Sequence, residues 1–291
     1  GSNRVVRDEF GYLPLSDLRK SIIALAEKDN TILRELFMYR FDKGEGLSGH
    51  TLGNLILMAL TNIKGSEVEA VRYASELFNV RGKIIPVTTE DTKLVAKYSD
   101  GTLLKGEHLI DEPEDFNKSI KIDKLFLSPS VKPTQEAVEA LKDPEYIIIG
   151  PGDLYTSILA NIVVENIAET IRDSNAKIIM ITNLMSKTGQ THNMNAKEFI
   201  YELVKYIGRE PDIVIQNSGK ILPVIMRNYQ RKGEHELVDN FSNEEYTIIR
   251  EDVIGDRFIV KDSGDTLKRS LVRHDPEKLG RVLNSIFTSK K

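Results

Sequence analysis

The stretch Tyr146-Ile147-Ile148-Ile149-Gly150-Pro151-Gly152-Asp153-Leu154-Tyr155-Thr156-Ser157 decides the fold. An apolar strand runs without a spacer into a glycine-bracketed loop that opens a helix. Backbone N–H groups in the first turn of a helix lack intrahelical partners, and the aligned peptide dipoles make that end partly positive. An anionic oxygen placed there gains hydrogen bonds and field together. Gly150 and Gly152 let a ligand approach the backbone, and Thr156 and Ser157 add hydroxyl donors. The same segment reads equally well as a strand-to-helix turn whose glycines serve steric needs alone.

Working outward, helix and strand alternate at α/β spacing. Helical periodicity covers residues 135–141, 154–162, 167–174 and 196–207, and strand patterns cover 146–149, 177–181 and 212–216. This predicts an α/β, Rossmann-like fold: a mostly parallel sheet flanked by helices, with right-handed crossovers. Upstream the chain is helix-rich. A helix begins at Leu13-Pro14-Leu15-Ser16, a second covers residues 31–41, and a third, over 51–63, is apolar on nearly every side and so predicts a buried helix. An amphipathic helix over 67–80 follows, then a strand signal at 83–87. Residues 94–107 read as a hairpin around Asp100-Gly101, and 121–127 as a further strand. The organisation expected is one Rossmann-like domain over residues 1–291 with a β-rich insertion at 83–128. The tail from Glu236 carries two short strand candidates and a last helix over 275–287, with Asp275 as N-cap and Pro276 at the first helical position.

With 291 residues, 40% of them apolar and 29% charged, the chain falls in the ordinary globular class and not among disordered or membrane-inserted proteins. Its apolar runs stop well short of the roughly 20 residues a bilayer span needs, and no hydrophobic leader opens it. A cytoplasmic protein is expected. No cysteine is present, which excludes disulfides and thiolate metal sites, and the five histidines have no i, i+4 pair to hold zinc. A net charge of −4 gives no basis for a broad nucleic-acid footprint.

Ligands of open parallel sheets sit beyond the carboxyl ends of the strands, so the loops that follow strands are the place to look. Three of these are rich in glycine, amides or hydroxyls: residues 150–157, 182–191 and 216–219. Side-chain amides recognise a base or a sugar without net charge. Asn183 reads equally as a side chain closing its own turn. Gly49-His50-Thr51-Leu52-Gly53-Asn54, at the start of the third helix, suits a second phosphate or a sugar hydroxyl. Capping by the polar residues and close packing at Gly53 account for it too. Asp153 could hold magnesium or simply complement the helix dipole. Arg273 has the guanidinium that clamps a phosphate or carboxylate. There is no Gly-x-Ser-x-Gly elbow and no Walker lysine loop. The run Gly44-x-Gly46-x-x-Gly49 fails as a dinucleotide fingerprint because no apolar strand precedes it.

Arg7-Asp8-Glu9-Phe10-Gly11, Asp17-Leu18-Arg19, the block from Phe41 to Asn54, Arg81-Gly82, the Gly150 to Ser157 loop, Thr182-Asn183-Leu184-Met185 and Arg273-His274-Asp275 together resemble the YvcK-like gluconeogenesis factors. These belong to the wider CofD-like superfamily that includes 2-phospho-L-lactate transferase. The resemblance runs from the first residues to the last helix. It implies a regulator that binds a UDP-sugar such as UDP-N-acetylglucosamine or UDP-glucose and is linked to cell shape, peptidoglycan synthesis and gluconeogenic growth. Cell-wall synthesis proteins are the implied partners, a homo-oligomer is left open, and no cofactor is required. The alternative is a magnesium-dependent phosphotransferase of the 2-phospho-L-lactate type. Asn183-Leu184-Met185 and the extended Gly49 to Asn54 segment favour the regulator. By the same resemblance a strand, a glycine-rich loop and a second strand would precede Arg7. None stands ahead of Val5, so the sheet is expected to lack those amino-terminal strands. The expected ligand-binding residues are Gly49, His50, Thr51, Gly53, Asn54, Gly150, Gly152, Asp153, Leu154, Tyr155, Thr156, Ser157, Asn183 and Arg273. No catalytic residue and no metal ligand is assigned.

Overall fold

The computed structural model describes residues 15–27, 31–44, 46–113, 120–255 and 271–289. The chain divides into two compact units, one of Gly1–Asp91 with Val260–Arg269 and one of Thr92–Ile259 with Ser270–Lys291.

Among its described residues the first unit is helical: α1 Leu15–Leu25, α2 Thr31–Met38, α3 Leu52–Lys64 and α4 Glu67–Leu77. Ile22, Phe37, Leu57, Ala74 and Phe78 form its core, with the Phe37 and Phe78 rings 4.5 Å apart. Local sequence sets the helix starts. Thr51 and Ser66 have extended backbones, and their hydroxyls accept from Asn54 N and Glu69 N, each satisfying one orphan amide. Two expectations are corrected here. The helix at 51–63 is not buried all round: Gly53, Asn54, Leu57 and Thr61 form one buried stripe, while Ile63 is 72% exposed. The second helix stops at Met38 because Arg40 bridges Thr51 and so must be extended. The helix start at Leu13-Pro14 lies outside the described residues, although α1 begins directly after it.

The second unit holds two sheets. Strands β1 Lys93–Tyr98, β2 Leu103–Lys105 and β3 Ile122–Ser128 form an antiparallel sheet in the order β2-β1-β3. The hairpin turns at Asp100-Gly101 as expected, with Asp100 accepting from the Thr102 backbone at 2.9 Å. Residues 83–87 form no strand: Pro86 lacks the N–H a ladder requires, and the sheet starts at Lys93. A short helix, α5 Glu107–Asp111, follows the hairpin. Beyond α6 Gln135–Lys142 come β4 Tyr146–Ile149, a π-helical turn Leu154–Ile158, α7 Leu159–Ile162, α8 Ile167–Asp173, β5 Lys177–Ile181, α9 Ala196–Ile207, β6 Ile213–Asn217, α10 Pro223–Gln230, β7 Thr247–Glu251 and α11 Pro276–Thr288.

The four later strands are all parallel and ordered β4-β5-β6-β7, so each crossover advances by one strand in the same direction. Isoleucine-rich runs suit the inner strands β5 and β6, because strands covered on both faces need apolar side chains at nearly every position, whereas at the edge strand β4 Ile148 is 42% exposed. Ile178, Ile179, Met180, Val214 and Ile215 are accordingly fully buried. On one face α11 lays Ile286 against Ile179, Ile181 and Ile215, with the rings of Phe287 and Tyr146 4.8 Å apart. Asp275 caps α11 through Glu277 N and Lys278 N, and Pro276 takes the first helical position. The fold is mixed α/β, a parallel four-stranded sheet flanked by helices plus a small antiparallel sheet. Among the described residues no helix is long and apolar enough to cross a membrane.

Candidate functional site

Parallel strands that advance in order bring their carboxyl ends to one rim, and the residues just past those ends are hydrogen-bonded to one another in series. After β4, Gly152 is held by Asn183 from the loop after β5. Its N–H donates to Asn183 Oδ1 at 3.2 Å, and its carbonyl accepts from Asn183 Nδ2 at 2.7 Å. Thr182, next to Asn183, donates its hydroxyl to Gln216 Oε1 at 2.8 Å. Asn217, at the end of β6, accepts from Val253 N at 3.2 Å and from Gly219 N at 3.1 Å, and donates to Gly219 O at 2.8 Å. The three loops singled out from sequence therefore meet at one rim. Asn183 ties two loops together and does not merely close its own turn. Gln216 and Asn217 are buried and brace the rim.

Within the Gly150–Ser157 segment the residues divide by direction. Leu154 and Tyr155 point into the core, fully or nearly fully buried. Burial, and after it the nearby Glu202, push the Tyr155 phenol well above its ordinary range, so this tyrosine is a neutral anchor. Thr156 is buried in a polar cluster, whereas Ser157 is exposed. Gly150 is open: an added Cβ would meet nothing within 4 Å. Gly152 is closer packed, with Ser157 and Ile158 side-chain atoms 3.4 Å from such a Cβ.

The backbone amides here have partners within the protein. Tyr155 N donates to Gln190 Oε1 at 3.2 Å, and Ser157 N and Ile158 N both reach Asp153 O, at 2.9 and 3.0 Å. The last pair reflects the π-helical turn, which widens the first coil of the helix. With Gly152 N on Asn183, two of the segment's amides are met by neutral side-chain carbonyls from the 182–191 loop.

Sequence reading marked Asp153 but missed the charged partners around it. Asp153 faces Lys187, whose Nζ donates to Asp153 Oδ2 at 2.7 Å and also to Asp111 Oδ1. Asp111 Oδ1 further accepts from Thr156 Oγ1 at 3.1 Å and Gln190 Nε2 at 3.0 Å. Burial disfavours charge on Lys187, but Asp153 and Asp111 outweigh it, so its pKa lies above the ordinary lysine value. Nearby Glu234 is pushed up, chiefly by burial. Asp111 closes helix α5 of the β-rich region and gave no local signal. Lys187 and Gln190 stood inside the polar loop already marked by its composition.

Arg273 is exposed, and its carbonyl accepts from Gly255 N at 2.9 Å. The adjacent His274 bridges Ile254 and hydrogen-bonds with the Thr182 backbone, so its segment borders the same rim. Burial pulls the His274 imidazole below its ordinary 6.5.

The remaining candidates belong to the first unit. Gly49 N donates to Phe41 O at 2.8 Å and Gly49 O accepts from Arg40 Nη1 at 2.6 Å. His50 N donates to Leu47 O at 2.9 Å, and Leu52 N to Tyr39 O at 2.9 Å. Thr51 caps Asn54 N, and Asn54 Oδ1 accepts from the buried Arg19 Nε at 3.0 Å. A Cβ on Gly53 would fall 2.4 Å from Phe37 O and 2.7 Å from Arg19 Cδ, so only glycine fits. Capping and close packing account for Thr51, Gly53 and Asn54. Among the described residues no group of three or more His, Cys, Asp or Glu side chains is placed to hold a metal ion.

Residues 1–254 match the model of the family described as 2-phospho-L-lactate transferase CofD. The gluconeogenesis factor of Bacillus subtilis is 35% identical over 285 residues, covering 97% of this chain and 86% of its own. The gluconeogenesis factor of Listeria innocua is 32% identical over 292 residues, covering 100% of this chain and 85% of its own. An X-ray crystal structure of a Bacillus halodurans protein superposes with a TM-score of 0.83 at 29% identity, covering 98% of this chain and 88% of that one. The chain belongs to the 2-phospho-L-lactate transferase CofD family, and the relatives it matches along its whole length are gluconeogenesis factors of the YvcK-like kind.

Proposed function

We propose that this protein binds a nucleotide sugar, UDP-N-acetylglucosamine or UDP-glucose, at the carboxyl rim of its parallel sheet and acts as a regulator through that binding, without turnover. In this reading occupancy of the rim reports sugar-nucleotide supply to cell-wall synthesis proteins in the cytoplasm, and so links cell shape and peptidoglycan synthesis to growth on gluconeogenic carbon. The observation that carries it is the Asn183 clamp on Gly152 beside the open backbone at Gly150. Asn183 Oδ1 and Gln190 Oε1 accept from amides at the start of a helix, the position a phosphate oxygen takes in such sites. Neutral amide oxygens bind N–H groups less strongly than charged ones, so a diphosphate competes well for these donors. The name carried by the relatives agrees with the regulatory side of this reading.

Calorimetric titration with UDP-N-acetylglucosamine and with UDP-glucose at millimolar concentration tests it. Saturable heat is expected with at least one of them, and no heat with either counts against it. The family's description names a 2-phospho-L-lactate transferase, and the second reading is a magnesium-dependent phosphotransferase of that type acting on a guanosine diphosphate lactate-like donor. Release of GMP in the presence of magnesium and a deazaflavin acceptor would favour that chemistry instead.

A further inference from the structure

Lys187 is the one cation that pairs with the Gly150–Ser157 segment among the described residues, and two carboxylates hold it. Asp111 and Asp153 carry a formal −2 against its +1, so the cluster is net negative where an anionic ligand is to be placed. The lysine side chain is 27% exposed, and it therefore reaches solvent while its ammonium lies between the acids. Asp111 is additionally fixed by Thr156 and Gln190, and Gln190 also occupies the Tyr155 amide. The cation, the acids and the amide partner form one connected unit, and a ligand that takes an amide from Gln190 also disturbs what holds Lys187.

A lone basic residue would welcome any phosphate, the more charged the better. A lysine shared by two fixed carboxylates does not, because each further negative charge on the ligand meets Asp111 and Asp153 as well as Lys187. Specificity built from repulsion is a general device. The two phosphates of a nucleotide sugar are both diesters, with about one charge apiece. A free nucleoside diphosphate ends in a monoester whose second pKa is about 6, so at neutral pH it carries nearly one charge more.

We propose that Lys187 contacts the diphosphate and that Asp111 and Asp153 set the charge the site tolerates, so that it accepts a diphosphate diester and rejects the free nucleoside diphosphate. This rests on the nucleotide-sugar reading and adds to it the chemical feature being read. It also assigns Asp111, Lys187 and Gln190 to the site.

The test is calorimetry of the full chain with UDP-N-acetylglucosamine and with UDP, on wild type, Lys187→Gln, Asp111→Asn and Asp153→Asn. Wild type is expected to bind the nucleotide sugar at least about tenfold more tightly than UDP, a difference of about 1.4 kcal/mol. Lys187→Gln should weaken both ligands at least about tenfold. Each acid-to-amide change keeps the side-chain shape and hydrogen-bonding oxygen, and should tighten UDP more than the nucleotide sugar, by about threefold to tenfold, which narrows the preference. A structural role for the acids predicts the opposite sign, weaker binding of both ligands. That outcome, or a Lys187→Gln protein with wild-type affinity, overturns the charge selection while leaving nucleotide-sugar binding intact. Wild type that binds neither ligand overturns both. Should Lys187→Gln fail to fold, the two acid-to-amide proteins still decide the sign.

Discussion

Two helix starts in this chain share the same residue types, glycine, hydroxyl and amide, and the structure uses them differently. At Gly49–Asn54 the backbone amides go to nearby backbone carbonyls and to the Thr51 cap, and the distant side chain that joins in, Arg19, is a buried packing partner of Asn54 and Gly53. Backbone carbonyls of Phe41, Leu47 and Tyr39 receive the amides of Gly49, His50 and Leu52, Thr51 caps Asn54, and Gly53 exists because Phe37 and Arg19 leave no room for a Cβ. At Gly150–Ser157 Ser157 N keeps a local backbone partner, but Gly152, Asp153, Tyr155 and Thr156 are held by side chains from far along the chain, Asn183, Gln190, Lys187 and Asp111. Backbone partners are fixed by the fold, whereas side chains have rotamers and can release what they hold. The comparison teaches that glycine near a helix start signals a ligand only where its missing Cβ faces open space and its amides rest on exchangeable groups.

The largest expected effect tests the packed helix start. Gly53→Ala places a Cβ against a backbone carbonyl that cannot rotate away, so helices α2 and α3 must separate. Overpacking of this kind costs about 1–3 kcal/mol, and contact with backbone argues for the upper end. Thermal unfolding followed by circular dichroism should show a marked drop in midpoint. An unchanged midpoint would remove the steric account and return Gly53 to the ligand-binding candidates.

A second prediction concerns the rim. His274 sits beside Thr182 with its imidazole pulled below the ordinary 6.5 by burial. The unfolded chain therefore takes up this proton first as pH falls. The associated stability is complete above about 6.5 and is lost as pH drops from there through the lower folded value. Denaturant midpoints measured on either side of 6.5 should fall on the acid side in wild type, and His274→Gln should flatten that part of the profile. A variant with the same acid loss as wild type would assign the effect to other groups. The loss is expected to be smaller than that of Gly53→Ala, because the segment is also tied by the backbone bridge to Ile254 and by the Asp275 cap.

What sequence reveals follows the range of the forces involved. The β4 to β6 alternation was legible because the buried parallel strands β5 and β6 are apolar along most of their length, β4 shares their isoleucine run, and the helices between them are periodic, and Asp275-Pro276 declared the last helix through local capping chemistry. Residues 83–87 misled because a short apolar run carries no information on whether a partner strand exists. The apolar stretch at 51–63 misled because Leu and Met are good helix formers, and an Ile at the helix end such as Ile63 is tolerated, on an exposed face as well. The site was half legible. Gly150, Gly152 and Asn183 announced themselves by following strands. The Asp111–Lys187 pair did not, since 76 residues separate the partners and neither sits in a motif. Tyr155 was marked for its place in the loop and proves to be a core anchor, a matter of which way a π-helical turn points its side chains.

The smallest expected effect on stability is the sharpest test of what separates the glycine at 53 from the glycine at 150. Gly150 has no neighbour within 4 Å of an added Cβ and no left-handed backbone to relax. Gly150→Ala should therefore leave the folded state unstrained and, by restricting the unfolded chain, raise stability by up to about 1 kcal/mol. If the open space above Gly150 is where a ligand lies against the backbone, the same methyl group should weaken nucleotide-sugar binding at least about tenfold, the scale of a group forced into a well-packed contact. Melting and calorimetry on one protein then separate the causes. Unchanged or higher stability with lost affinity marks a glycine kept for a ligand. Lower stability makes Gly150 a packing residue like Gly53, and stability and affinity both unchanged move the ligand elsewhere on the rim.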